Sequence, residues 1–397
     1  MGMRAEVYLD ESRSSDGTTA KTGVGYPPQG VLLFPTMPSG TATSGTLYGL
    51  GAGVSLGASV NHAMHIECGA SAVSGSVRSN RCMMFKSNNV TLSDAVMASL
   101  DANGYTLTFD HTNAPTYSYI QIPLGGLTNI GVVATQTIAA PGTQDITGFG
   151  FDPTSVILFV NRHTAADITN DAGLCIGFGG SDLTQACSYA KIRQASGAIS
   201  GQKVHNAINI IRTTAGTGAN TPTNTANLDS YITDGVRLTY TTANAGYSIT
   251  AIGLRGVTTN VQSIAIPTST GNVSYAGVPF KPGAAIITHV DGNGAINTND
   301  SDIGIGAIGN SGSQAAAFQT GVQSSAFDID SVRANNRCII ACNSSGTVIY
   351  AGEWVSWDSN GMTLNFPTVT TARTAAVMYF EEPTISSSRN LLTLGVG

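Results

Sequence analysis

Hydrophobic and polar residues alternate strictly in three short stretches of the chain. GYTLTF (104–109), GVRLTY (235–240) and GMTLNF (361–366) place an apolar side chain at every second position. Each stretch begins at the glycine that ends a turn phrase, Asp-Ala-Asn-Gly, Thr-Asp-Gly or Asp-Ser-Asn-Gly, and Asn, Asp and Gly tolerate the positive φ that a tight hairpin turn requires. A period of two predicts a β-strand with one buried face. The sequence therefore predicts three β-hairpins of the same kind.

Three other stretches, 31–34, 156–160 and 285–287, are apolar without alternation. A strand of this kind is covered on both faces by the rest of the protein, or it lies at a contact between subunits. No stretch of a dozen residues keeps a helical period, and Gly, Pro, Thr, Ser and Asn interrupt the chain about every eight to twelve residues. This pattern is typical of an all-β protein.

The unalternating stretches belong to a longer phrase that recurs. TGVGYPPQGVLLF (22–34), TGFGFDPTSVILF (147–159) and AGVPFKPGAAIIT (276–288) lie about 125 residues apart. In each case a hairpin turn follows the last proline of the phrase by about 80 residues, and the chain then continues into an apolar closing strand. Several phrases that recur in the same order indicate three tandem copies of one domain.

We therefore predict an all-β fold of three tandem, homologous, jelly-roll-like β-sandwiches. Their boundaries are expected at 1–128, 129–257 and 258–385, followed by a C-terminal arm at 386–397. A copy of about 125 residues can bury its own core, because chains of this size bury about two-thirds of their unfolded surface. The short linkers between the copies predict that they pack together.

The composition indicates a protein whose surface is partly covered by other subunits. Charged residues make up only 11% of the chain and the net charge is −6, whereas ordinary soluble domains have about 25% charged residues. We expect a homo-oligomer or larger assembly to cover part of so uncharged a surface. The lack of a basic patch argues against a nucleic-acid partner, and the lack of an apolar run of about 18 residues argues against a membrane span. The six cysteines form no CxxC pattern, which favours buried, reduced thiols over disulfides between copies or subunits.

Candidate catalytic motifs are not repeated among the copies. GVSLG, with Ser55 at its centre, matches the nucleophile elbow G-x-S-x-G, but the equivalent stretches GFGGSD and GAIGNS keep only the glycine. The six histidines are scattered over unlike positions of the three copies. The sequence therefore predicts no catalytic residue, and we expect the protein not to be an enzyme.

Two polar stretches bear on metal binding. His62, His65, Glu67 and Cys68 are close in sequence, but on a strand only His65 and Glu67 share a face, and zinc requires three or four convergent ligands. Residues 291–302 are rich in oxygen ligands, but they lack the sixth-position Gly and the terminal Glu of an EF-hand loop. We therefore predict no metal site and no cofactor.

The recurring phrases resemble those of a known group of proteins. Their order is G-[VF]-x-[FY]-x-P, an apolar strand, a Gly-rich strand such as GLCIGFGG or DIGIGAIG, a [D]-x-[ND]-G-x-[TR]-L turn and a closing strand with an aromatic residue. This order resembles a β-sandwich module of virion structural proteins in tailed bacteriophages, over nearly all of the chain as three modules. The resemblance implies a non-enzymatic capsid decoration or auxiliary protein that stabilises the particle, in a virion assembled in the host bacterial cytoplasm.

The resemblance also implies that the partners are other virion proteins, either the major capsid protein or tail proteins. Two alternatives stay open: a tail, baseplate or fibre component that binds a host receptor, and a carbohydrate-binding or carbohydrate-active protein. The second copy departs from the pattern because it lacks the SVR phrase found at 76–78 and 331–333. The contacts of Arg78 and Arg333 are therefore not expected to have an equivalent in that copy.

Two groups of apolar residues are candidates for contacts with other subunits. Trp354 and Trp357 are three positions apart on a strand, so we predict that they point to opposite faces. The outward indole is expected at a contact with another copy or subunit, or beneath a loop that folds over it. The C-terminal arm carries four apolar side chains, those of Leu391, Leu392, Leu394 and Val396. An arm of this kind is expected to dock on a neighbour or on the third copy itself.

Deleting residues 386–397 is expected to leave the folded sandwiches intact but to weaken attachment to the particle. Burial of the four arm side chains stabilises the docked state by about 1.5 to 3 kcal/mol each, before the entropy of ordering is subtracted. The measurement is binding of truncated and full-length chains to particles that lack the protein. Equal binding of the two would contradict a clasp by the arm.

Overall fold

The computed structural model describes residues 2–36, 42–44, 47–69, 73–87, 90–111, 117–163, 168–169, 171–195, 198–214, 221–291, 295–296, 300–322, 328–343, 345–370 and 372–383. Within these ranges the chain forms β-strands and no helix, so the all-β prediction is confirmed. The described residues include no helix that is long and apolar enough to cross a membrane.

The first part of the chain builds one large and one small sheet, which we call the first set. Its strands are β1 (Arg4–Ala5), β2 (Tyr8–Glu11), β3 (Gly17–Thr22), β4 (Gly30–Thr36), β5 (Ala42–Ser44), β6 (Leu47–Ser55), β7 (Asn61–Gly69), β8 (Val73–Arg78), β9 (Met83–Ser87), β10 (Val90–Asp101), β11 (Gly104–His111) and β12 (Ser118–Gly125). The large sheet runs β1-β12-β4-β6-β7-β8, with β2 also paired to β12, and the small sheet runs β3-β11-β10-β9. β5 belongs to neither sheet.

The second set has the same plan. Its strands are β13 (Asn129–Gln136), β14 (Gly142–Thr147), β15 (Ser155–Asn161), β16 (Ile168–Thr169), β17 (Asp171–Gly179), β18 (Gln185–Ala195), β19 (Ala198–Asn206), β20 (Ile211–Thr214), β21 (Pro222–Ile232), β22 (Gly235–Thr242) and β23 (Ser248–Arg255). The large sheet runs β13-β23-β15-β17-β18-β19 and the small sheet β14-β22-β21-β20. Here β16 lies outside both sheets of its own set.

The third set repeats the plan once more. Its strands are β24 (Thr259–Ile266), β25 (Gly271–Ala276), β26 (Pro282–His289), β27 (Ala295–Ile296), β28 (Asp300–Ile308), β29 (Gln314–Val322), β30 (Asp328–Ala334), β31 (Ile339–Cys342), β32 (Val348–Asp358), β33 (Gly361–Thr368) and β34 (Arg373–Glu381). The large sheet runs β24-β34-β26-β28-β29-β30 and the small sheet β25-β33-β32-β31. β27 pairs outside its own set.

Each set has a core between its two sheets. In the first set, Leu33 of β4 shares a buried cluster with Phe85 of β9 and Leu107 of β11. The corresponding clusters of the other sets contain Leu238 and Leu364. β11, β22 and β33 have the same alternation of buried and half-buried residues, and each is paired in a hairpin with the preceding strand. The prediction of three hairpin strands with one buried face is confirmed.

A fourth core, the central core, joins the three large sheets to each other. Along β4, Val31 and Leu33 face the small sheet, whereas Leu32 and Phe34 belong to the central core. β15 and β26 divide their side chains in the same way and are buried along their whole length. Phe34 meets Phe159 of the second set edge to face, with ring centroids 5.8 Å apart. The unalternating strands are therefore covered on both faces, and the predicted close packing is confirmed.

Three short strands leave their own set and extend the large sheet of a neighbour. β16 pairs with β8 of the first set, β27 pairs with β19 of the second, and β5 pairs with β30 of the third. Each exchanged strand comes from the same place in its set, just after the strand that is covered on both faces. The exchange is cyclic and closes the three sets into a ring.

Loops at the other end of the large sheets hold neighbouring sets together. The Ser181 N–H donates to the Thr259 carbonyl oxygen (3.0 Å), and the Thr259 N–H donates to Ser181 Oγ (2.9 Å). In the equivalent loop of the third set, Asn310 Oδ1 accepts the Ala5 N–H (2.5 Å), and the Asn310 N–H donates to the Ala5 carbonyl oxygen (2.8 Å). At the third junction the equivalent loop is apolar, and Leu56 packs against the central core.

One exchanged strand is anchored by a buried ion pair. Lys203 of β19 pairs through its backbone with Ile296 of β27, and its ammonium forms an ion pair with Asp302 of β28. The two side chains are only 3% and 2% exposed. Asp291, on the other side of β27 in sequence, lies 3.9 Å from Lys203 Nζ and pairs with Arg373. Both ends of the exchanged segment thus meet one lysine of the neighbouring set.

Lys203→Met is expected to lower the free energy of unfolding by about 3 to 5 kcal/mol, because it leaves the Asp302 carboxylate buried without its counter-ion. The double variant, Lys203→Met with Asp302→Leu, is expected to recover most of the loss, since removing both charges also removes their desolvation cost. Denaturant unfolding of the natural chain and the two variants measures the effect. A single variant as stable as the natural chain would contradict the anchoring role.

Candidate interaction surfaces

Each small sheet has two edge strands, and one of the two lies at the surface of the protein: β3 in the first set, β14 in the second and β25 in the third. We call these the outer edge strands. The strands at the opposite edges are largely buried, β31 along its whole length. Along β3 and β25 every second residue is exposed, and most of β14 is exposed as well. The ring therefore presents three equivalent strand edges, with their short polar side chains, at its surface.

The second set exposes two large apolar side chains at one end of its sheets. Leu183 is 40% exposed and Ile208 is 73% exposed. By strand register, the equivalent positions in the third set hold Gly312 and Asn336. Leu183 also has a φ of 64°, in the left-handed region that is unfavourable for a bulky side chain. The second set thus has an apolar corner that the third set lacks.

Sequence reasoning did not single out the outer edge strands, Leu183 or Ile208. The signal for the two apolar residues was available in the repeat, because alignment of the copies puts glycine or asparagine at their positions in the third copy. Their exposure could not be read from the sequence, since single apolar residues are common both in the core and at the surface of folded proteins.

Trp354 and Trp357 lie on the same side of β32, so the predicted opposite orientation is wrong. Their ring centroids are 5.7 Å apart, and both indoles are half-buried against the core of the third set. The register of β32 against β33 shifts between Trp354 and Ser356, and this β-bulge adds one residue and reverses the alternation. Val355, within the bulge, is 44% exposed. A contact of either tryptophan with a partner stays a prediction.

The four apolar residues of the C-terminal arm, Leu391, Leu392, Leu394 and Val396, lie outside the described residues, so their docking stays a prediction. The last described residues, Glu382 and Pro383, line a cavity of about 410 Å³ between the first and third sets. A second cavity of about 390 Å³ lies where the junctions of the three sets meet, lined by Met3, Val257 and Glu382 among others.

Ser55 does not have the exposed position of a nucleophile elbow. Its side chain is fully buried, its Oγ donates to the Gly57 carbonyl oxygen (3.1 Å) and it accepts the Gly57 N–H (3.2 Å). The glycines that recur in this strand are explained by packing. A side chain at Gly53, Gly177 or Gly306 would collide with the backbone carbonyl oxygen of the residue that immediately precedes β9, β20 or β31, respectively.

His65 and Glu67 are both buried on β7, two residues apart on one face. Neither ring nitrogen of His65 has a hydrogen-bond partner among the described residues. His62 is half-buried, and the side chain of Cys68 lies outside the described part of the chain. In that part, no group of three or more His, Cys, Asp or Glu side chains is arranged to hold a metal ion.

The stretch 291–302 uses two of its carboxylates within the protein. Asp302 pairs with Lys203, and Asp291 pairs with Arg373. Residues 292–294 and 297–299 lie outside the described ranges.

Five cysteines are buried as free thiols, namely Cys82, Cys175, Cys187, Cys338 and Cys342.

Arg78 and Arg333 are not equivalent, although both end an SVR phrase. Arg78 of β8 pairs with Ala63 of β7. In the third set the position equivalent to Ala63 pairs with Ala334, so Ala334 and not Arg333 is the counterpart of Arg78. The third copy has one residue more between this arginine and the following Cys338, and a slip of one residue turns a side chain to the other face. Arg333 reaches the first set, where its Nη2 lies 3.0 Å from a carboxylate oxygen of Glu11.

Three buried histidines are held neutral by their surroundings. Burial lowers the pKa of His65 and of His289 to about 3, with smaller contributions from nearby Lys86 and His205, respectively. Burial also lowers the pKa of His205 to about 4. Because each pKa is depressed in the folded protein, the unfolded chain binds more protons once the pH falls below about 6.5, and stability is lost in that range. Burial raises the pKa of Asp302 to about 6, which acts in the opposite direction.

His65→Phe is expected to stabilise the protein at pH 5 by about 2 kcal/mol more than at pH 8, since about 1.4 kcal/mol is lost per pH unit below 6.5 for one such histidine. Phe318 occupies the equivalent position in the third set, so an aromatic side chain without nitrogens suits this site. Denaturant unfolding of both proteins at the two pH values measures the difference. An equal effect of the substitution at pH 5 and pH 8 would show that His65 does not titrate as described.

No protein family model and no curated protein matches this sequence. Among solved structures, a loop-deletion mutant of OmpT, an outer membrane protein of Vibrio cholerae, has 10% identity and a TM-score of 0.09, covering 94% of this chain and 99% of its own. OccK11 of Pseudomonas aeruginosa has 8% identity and a TM-score of 0.09, with 91% and 99% covered. CdiB from Acinetobacter baumannii has 7% identity and a TM-score of 0.11, with 94% and 66% covered. Scores this low carry no argument about fold or function.

Proposed function

We propose that the three sheet sets are three tandem, jelly-roll-like β-sandwich copies with boundaries at 1–128, 129–257 and 258–385, and that the chain is a non-enzymatic structural protein of a bacteriophage virion. The repeated strand orders and the separate core of each set support the three-copy division. Within the virion we assign it to the capsid, as a decoration protein that stabilises the particle.

The observation that carries the capsid assignment is the closed ring of three equivalent sets. A body with three near-equivalent faces can make three near-equivalent contacts at a position of threefold or local threefold symmetry. Closed shells built from many copies of one protein contain such positions. The ring brings its own threefold arrangement to them within one chain, so one molecule could bridge three capsid subunits.

The composition supports a part that is held by its neighbours. Charged residues make up 11% of the chain, and many of them are already paired, as in Arg237 with Asp145 and Lys281 with Glu382. Three weak contacts made by one rigid body add to a strong attachment, because the second and third contacts form at a high effective concentration. Bridging of this kind stabilises the shell without any chemical reaction.

A decoration protein is expected in hundreds of copies per virion, since a closed shell offers many threefold and local threefold positions. Densitometry of purified virions against the major capsid protein measures the copy number, and reconstruction of the particle shows the position. Density for the chain on threefold or local threefold axes is the expected result. A handful of copies at the tail would favour a receptor-binding tail component instead.

The functional control is particle stability. Particles that lack the protein are expected to lose their contents at a lower temperature, and adding the purified chain back is expected to restore the original midpoint. Absence of the chain from purified virions would contradict the structural role. Turnover of a glycan by the purified chain would also contradict it and would favour the carbohydrate alternative.

A further inference from the structure

The three outer edge strands differ in how open they are to another strand. β3 in the first set, β14 in the second and β25 in the third occupy equivalent places, because each pairs its first glycine with the same aromatic position of the next strand. An open edge is a template for pairing with a further strand, and natural proteins block such edges with charge, proline, bulges or cover. The three edges can therefore be compared position by position.

The backbone groups that point outward from β25 are those of Asn272, Ser274 and Ala276. The carbonyl oxygen of Tyr275 is directed at the inner neighbour, since a side chain at Gly361 of β33 would collide with it. In an antiparallel pair the residues alternate between bonding inward and pointing away. Among the described residues, no backbone hydrogen bond is made by these three outward groups.

The first and second edges are blocked. In β3, the outward carbonyl oxygen of Thr18 already accepts a hydrogen bond from Arg13 Nη1 (3.0 Å), and the strand carries the charge of Lys21. In β14 the central outward residue is Asp145, which pairs with Arg237 at 2.7 Å and is 39% exposed. β25 contains no charged residue, no proline and no bulge against β33.

The residue at the centre of each edge decides whether a strand can pair with a second copy of itself. In an antiparallel pair about a twofold axis, the central residue lies opposite its own copy. Ala20, Asp145 and Ser274 occupy this place in β3, β14 and β25. Two copies of β14 would bring Asp145 against Asp145, which is destabilising, whereas two copies of β25 would bring serine against serine.

We propose that β25 is a self-pairing edge, through which two copies of this chain join their third small sheets into one continuous antiparallel sheet. Centred on Ser274, the pairing sets Asn272 opposite Ala276 of the second copy, so that outward groups meet outward groups. It also sets Val273 opposite Tyr275 of the second copy, on the half-buried face that packs against the core. A β-branched residue opposite an aromatic one is a favourable cross-strand pair.

The partner at this edge is a second copy and not an unrelated segment because the strand is complementary to itself in both charge and pattern. An edge of six residues buries less than the about 1,000 Å² of a stable interface. We therefore expect a weak dimer in dilute solution. Neighbouring molecules on one surface experience effective concentrations in the millimolar range, where such a pairing is populated. The pairing belongs to the free chain, so it can fail or hold independently of a virion role.

Sedimentation equilibrium of the full chain, at concentrations up to about 1 mM, is the test. The mean mass is expected to rise with concentration from 40.7 kDa toward twice that value. Ser274→Asp and Ser274→Lys are each expected to remain monomeric, because each places like charges opposite one another in the pair. An equimolar mixture of the two variants is expected to form the dimer again, since opposite charges then meet.

The matched control is Ala20→Asp, which puts the same charge at the same position of the first edge. It is expected to self-associate as the natural chain does. Asp145 occupies this position in the second set, so a carboxylate there is compatible with the fold; unfolding midpoints of all variants verify this.

Four results would overturn the proposal, the first three of which concern the edge strand itself. They are a natural chain that stays monomeric up to about 1 mM, a dimer that survives both Ser274 variants, and a mixture of the two variants that stays monomeric. Loss of association in Ala20→Asp equal to that in Ser274→Asp would also overturn it, because the effect would then follow net charge and not the edge.

Discussion

The rest of the structure depends on the central core, in which three large sheets bury one face against each other. A large sheet with a small sheet on one side still has an apolar second face, and that face cannot be left in water at a cost of about 25 cal/mol per Å². β4, β15 and β26 carry this requirement directly, since alternate residues of each strand belong to two different cores. None of the three sets buries all of its hydrophobic surface without the other two.

The exchanged strands fix the orientation of the three large sheets relative to each other. A shared apolar core tolerates small rotations and slips, because hydrophobic contacts are not directional. Backbone pairing of β5, β16 and β27 with a neighbour, the hydrogen bonds at Ser181 and Asn310, and the ion pair of Lys203 fix one arrangement. The three junctions use different chemistry for the same purpose, since one is apolar at Leu56 and two are polar.

The sequence was sufficient for the features that depend on local pattern and on the repeat. Alternation in β11, β22 and β33, the two-faced strands and the hairpin turns all follow from the spacing of apolar residues. The orientation of Trp354 and Trp357 did not, because a β-bulge inserts a residue without any local signal. Arg78 and Arg333 were matched by phrase, but one additional residue in the following loop changed the register. The exchanged strands β16 and β27 are two residues long, and their pairing is a contact between distant parts of the chain.

Joining three sets in one chain has a consequence for how the ring responds to dilution. A ring of three separate subunits comes apart when its concentration falls below its dissociation constant, because three particles are released. Here the linkers at 126–128 and 256–258 keep every set tethered to the next, so opening one junction releases nothing. The ring therefore forms by a first-order process. The fraction of chains whose ring is closed is the same when a cell holds a single copy of the protein as when it holds many.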